Sequence, residues 1–135
     1  MADLVKVAQA SLDTSTGMYA GQTPDLVAGE ALGAVVPCYI KAADGKVYQS
    51  NGTAATEPAK FDGMTARAVS IGQAVTLFTA PARFRYGTGL VIGTDLFVSA
   101  TAGKLSDTAT VGGVRAIARV VNATDIRVTK FSDAA

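Results

Sequence analysis

From Leu26 onward, apolar and polar residues alternate in short runs broken by turn sequences, which predicts β-strands rather than helices. The first hairpin is read over residues 35–41, the turn Ala42-Ala43-Asp44-Gly45, and residues 46–49. Asp-Gly supplies the positive φ that such a turn needs. Pro37 lacks a ladder donor and is expected at a sheet edge or a strand start. Residues 50–63 read as a long loop, marked by Asn51-Gly52, Glu57-Pro58 and Asp62-Gly63. Further strands are predicted over 64–70, 74–78 (broken by Pro81), 82–86 and 95–100, with the short apolar run Leu90-Val91-Ile92 between the last two. A closing hairpin follows over 114–121 and 126–131. Residues 26–34 have room for a helical turn, weakened by Gly29 and Gly33, and no helix-length period of 3.6 is present. Roughly seven to nine short strands at regular spacing predict an all-β fold, a compact small barrel or sandwich of short antiparallel strands spanning residues 26–135.

Residues 1–25 read differently. Leu4, Val5, Val7, Leu12, Met18 and Tyr19 are scattered among Asp, Ser, Thr and Gln, and Pro24 follows a turn-like tract. Two readings stay open: an extended N-terminal arm, with a short strand near residues 4–9, that reaches a neighbouring molecule, or an edge strand of the core. In the arm reading the apolar singles are contact residues, because a peptide edge adds to a neighbour's sheet while alternate side chains fill pockets.

Composition supports the β reading and narrows the chemistry. Val and Thr, fifteen of each, suit pleated strands, and the fourteen glycines suit tight turns. The chain has no histidine and one cysteine, so Ser-His-Asp and Cys-His mechanisms, a Cys/His zinc site and an intrachain disulfide are excluded within one chain. Most of the aspartates sit in turn sequences, where the carboxylate caps its own backbone. Gly87, Gly89 and Gly93 miss a phosphate-binding loop because position 92 is Ile and no helix follows. The net charge is +1, with no basic stripe along the sequence of the kind nucleic acid requires. Neither a signal peptide nor a membrane-length apolar run is present, and a soluble product made in a cytoplasm is expected. No catalytic, metal or cofactor site is predicted, and the protein is read as no enzyme.

Two local features have competing readings. Cys38 is expected to be a buried thiol acting as a small hydrophobe, with a reactive or intersubunit thiol as the alternative. Arg83-Phe84-Arg85-Tyr86 is either a contact cluster, since arginine and aromatics are favoured in interfaces, or a strand with Phe84 and Tyr86 inward and both arginines solvated.

Four stretches carry a family likeness: AGEALGAVVPCYIKAADGKVYQSNG from Ala28, DGMTARAVSIGQAVTLF from Asp62, GTGLVIGTDLFVSATAGKLSD from Gly87, and VGGVRAIARVVNATDIRV from Val111. In order and spacing they resemble the small head decoration, or cement, proteins of tailed bacteriophages, with Phe97 at an aromatic position of the pattern. The likeness covers most of residues 28–128 and leaves the N-terminal segment outside. One departure is Val35-Val36-Pro37-Cys38, where the family more usually has G-D-x-V before Tyr-Ile-Lys. The resemblance implies a β-rich structural virion protein, commonly a homotrimer, that binds the major capsid protein on the capsid exterior and bridges neighbouring capsomers. From charge and residue inventory, no nucleic acid, membrane or small-molecule partner is expected. The alternative is a receptor- or carbohydrate-binding β module of a virion, disfavoured by the absence of Trp and the presence of only four Tyr.

Overall fold

A computed structural model describes residues 3–12 and 21–130. In chain order the strands are β1 (Ser11–Leu12), β2 (Gln22–Val27), β3 (Pro37–Ile40), β4 (Val47–Gln49), β5 (Gly63–Thr65), β6 (Ala74–Phe78), β7 (Arg83–Arg85), β8 (Asp95–Val98), β9 (Leu105–Ser106), β10 (Ala118–Val120) and β11 (Asp125–Val128). A single 3-10 turn, Glu57–Ala59, interrupts the long loop between β4 and β5. The expected all-β fold is present, as a sandwich-like pair of antiparallel sheets. One sheet runs β1-β7-β11-β10-β8-β9 and the other β2-β6-β5-β3-β4. The strand count exceeds the expectation because β1 and β9 are two-residue pieces too short to leave a periodic signature.

In the six-stranded sheet the alternation is clean. Ala118, Val120, Ile126 and Val128 of the β10–β11 hairpin point into the core, and Arg119 and Arg127 point out. The inward set joins Phe84, Leu96, Val98 and Leu105 from the same sheet with Met64 and Phe78 from the other. Phe78 and Phe84 meet edge to face across the two sheets, with centroids 6.4 Å apart. Each such fully buried side chain contributes about 1.5–3 kcal/mol relative to exposure.

The five-stranded sheet curls. Ala28, one residue past β2 at one edge, forms a parallel bridge with Val47 of β4 at the other, and Gly29 N–H donates to Val47 O at 2.9 Å. That contact closes the sheet at one point around a second apolar cluster of Ala28, Leu32, Val36, Cys38, Val47, Val69, Val75 and Leu77. Pro37 opens β3, where its missing N–H costs no ladder bond. The β3–β4 turn uses Gly45 at φ +69° as expected.

Three expectations are corrected. The strand predicted over 64–70 ends at Thr65, and Val69 makes only an isolated bridge to Leu32. Alternation fails there because Thr65 is buried along with Met64: its hydroxyl donates to Gly33 O at 2.7 Å and accepts from Val36 N–H at 3.2 Å. Residues 26–34 form no helical turn. β2 continues through Val27, so the boundary drawn between residues 25 and 26 falls inside a strand. The short apolar run Leu90-Val91-Ile92, which the sequence assigns to no element, is a loop with Val91 and Ile92 turned outward.

Candidate interaction surfaces

The N-terminal segment is extended, and over residues 3–12 it lies along its own domain. Asp3 bridges Ser106 and accepts a hydrogen bond from the Ser99 hydroxyl; Leu4 N–H donates to Leu105 O at 3.1 Å; Val7 N–H donates to Tyr86 O at 2.9 Å. Ser11 and Leu12 then pair with Arg85 and Phe84, making β1 the edge of the six-stranded sheet. Lys6 Nζ donates to Ala34 O, lies 3.4 Å from Val35 O, and sits 6.0 Å from the Tyr86 ring centre. Burial holds the Lys6 ammonium below its ordinary pKa. Leu4 and Val7 are half-buried against the core, so of the expected contact residues whose side chains are described in this segment only Val5, 85% exposed, presents its side chain fully to solvent. Met18 and Tyr19 lie outside the described residues, as does the Leu12 side chain.

Strand β7 carries the Arg-Phe-Arg-Tyr cluster and divides it. Phe84 and Tyr86 are fully buried, which corrects their assignment as contact residues: a side chain in the core has no surface to offer. Burial pushes the Tyr86 hydroxyl up to about 12, with a backbone hydrogen bond to Leu105 opposing the shift. Arg83 and Arg85 point outward. Arg83 Nε donates to Asp125 Oδ2 at 2.9 Å, while Arg85 is exposed.

A groove that the sequence reading missed lies beside Val5. Val5, Val91, Leu4, Leu90 and Val120 form its apolar part, with Asp3, Thr88, Thr94 and Asp107 at its polar part, enclosing about 330 Å³. Val91 is 72% and Ile92 70% exposed. Leu90 N–H to Ala123 O at 2.9 Å and Gly93 N–H to Val120 O at 2.9 Å hold the loop on the sheet, which is how its apolar middle is left facing solvent. The sequence signal was there, three apolar residues between glycines, but such a run reads equally as a short buried strand.

Four of the carboxylates accept backbone hydrogen bonds. Glu30 accepts from Gln49 N–H, Glu57 from Ala42 N–H, Asp62 from Ile40 N–H and Asp44 from Lys46 N–H, each at 2.8–2.9 Å. Asp44 also accepts from the Tyr48 hydroxyl at 2.6 Å, which lowers its pKa and raises that of Tyr48. Among the described residues no group of three or more Cys, Asp and Glu is placed to hold a metal ion. Cys38 is fully buried, and burial with the nearby Glu30 charge pushes its thiol pKa up, against thiolate formation. Among the described residues no helix is long and apolar enough to cross a membrane. In comparisons with known proteins, no family model matches the chain and no curated protein matches it.

Proposed function

We propose that this chain is a non-catalytic structural protein that binds the outer surface of a phage capsid and stabilises it by bridging neighbouring capsomers. The resemblance of residues 28–128 to head decoration proteins supplies the kind of partner. The observation that carries the binding reading is the groove between the N-terminal segment and the 88–94 loop, with Val5 and Val91 exposed along it. Apolar side chains gathered at one place on a surface mark a contact, because covering them removes apolar area from water. A standard interface buries about 1,600 Å² in total, and a modest gain per copy multiplies over a shell. In this reading the protein docks as a trimer on the major capsid protein.

The test is co-sedimentation of the full chain, and of a Val5→Asp/Val91→Asp variant, with undecorated capsids of a tailed phage. The variant is expected to stay folded by circular dichroism and to lose binding. Light scattering on the free protein and a reconstruction of the decorated shell report the oligomer. Failure of the full chain to bind any such capsid overturns the capsid reading. Equal binding by the variant moves the contact away from the groove.

A further inference from the structure

The outer face of the six-stranded sheet carries a row of arginines that no stretch of sequence contains. In the ladder Arg83 of β7 stands opposite Arg127 of β11, and Arg127 stands opposite Arg119 of β10. Asp95 of β8 ends the row opposite Arg119. Directly paired residues have Cα atoms about 4.5–5.5 Å apart, so three guanidinium stems rise within a line of about 10 Å. Arg85 stands two pairs further along β7, opposite Asp125.

Like charges directly opposite one another destabilise a sheet, and this ladder does it twice, with Arg127 between two other arginines. Asp125 offsets part of the repulsion by binding Arg83. Arg119 and Arg127 are exposed and make no hydrogen bond or ion pair among the described residues. Among the described residues the arrangement is therefore electrostatically incomplete, and anionic groups laid over Arg127 and Arg119 would complete it.

We infer that this face, centred on Arg127 and Arg119, is a docking surface for an acidic protein segment carrying two or three carboxylates within about 10 Å. Arginine matches a carboxylate with two parallel N–H donors, which suits a short row of fixed acceptors. Asp95 and Asp125 on the same face favour discrete carboxylates over a phosphate backbone, whose continuous charge would run across both aspartates. The inference does not depend on the partner's being a capsid, and it rests on arginines that do not line the Val5–Val91 groove, although Arg119 reaches Gly93 of the adjoining loop.

The experiment measures fluorescence anisotropy of a labelled oligoglutamate peptide against the full chain at low and high ionic strength, with oligothymidylate as the second probe. The variants are Arg119→Gln/Arg127→Gln and, as a control on another exposed arginine, Arg67→Gln. Removing the opposed charges leaves the melting temperature unchanged or raised, so the double variant remains testable. Expected are salt-sensitive binding of oligoglutamate, a loss of roughly tenfold or more in the double variant, and no loss in Arg67→Gln. Absence of binding by the full chain, an equal loss in Arg67→Gln, or tighter binding of oligothymidylate than of oligoglutamate would overturn it.

Discussion

Lys6 reaches from the N-terminal segment to the carbonyl of Ala34, 28 residues away, and its ammonium is desolvated on the way. With the backbone bonds of Leu4 and Val7, this contact fastens residues 3–12 to the domain at several separate points. Deleting residues 2–10 is therefore expected to leave a folded β domain that is less stable by about 2–3 kcal/mol, from lost burial of Leu4, Val7 and Ala10. Urea unfolding monitored by circular dichroism measures it. An unchanged midpoint would mean that the segment contributes nothing to the free domain.

Cys38 should be silent to thiol reagents. It is fully buried, its sulfur lies 3.5 Å from Val36 O, and burial disfavours the thiolate. Native protein is expected to react far more slowly with a disulfide reagent than protein in denaturant, and reductant should not move the melting temperature. Rapid native labelling contradicts the buried-thiol assignment.

Stability should fall in alkali. The pKa values of Cys38, Tyr39, Tyr48 and Tyr86 are all raised in the fold. A raised group binds its proton more tightly in the folded state, so its contribution is complete below the unfolded pKa and is lost as pH rises through the folded one. For Tyr86 the window runs from the unfolded value of 10.0 to about 12, which corresponds to about 2–3 kcal/mol at most. Lys6 acts oppositely: its lowered pKa makes stability rise with pH in the window below 10.5. Denaturant titrations at a series of pH values should show a decline setting in above pH 9, and Tyr86→Phe should make it shallower between about 10 and 12.

Gly63 is a further sensitive position. It pairs with Cys38 inside β5 at φ +150°, and a Cβ there would come within 2.7 Å of Leu77 Cβ and 3.2 Å of the Phe78 backbone. Gly63→Ala is expected to cost about 2 kcal/mol or more through backbone strain and overpacking. Thermal unfolding checks it, and Gly45→Ala, at φ +69° with nothing within 4 Å, is expected to cost less.

The hairpins were legible because their signals are local. Asp44-Gly45 and Asn122–Asp125 announce turns, and 74–78 and 126–128 alternate as their strands do. Thr65 misled the reading for a nonlocal reason: its hydroxyl is satisfied by Gly33 and Val36, about thirty residues earlier, and a polar residue so satisfied can be buried. The contact residues were less legible. Phe84 and Tyr86 carry the composition of an interface yet serve the core, while Val91 and Ile92 carry the composition of a core yet face solvent.

By itself the sequence determined the β class, the turns and the absence of histidine chemistry, because periodicity, turn propensity and residue inventory are properties of neighbours along the chain. Only the tertiary structure decided which strands adjoin. The order β7-β11-β10 sets Arg83, Arg127 and Arg119 side by side, although they are scattered in a chain whose net charge is only +1. Strand order and register depend on long-range pairing of buried faces, and a shift of one residue exchanges every inward side chain for an outward one.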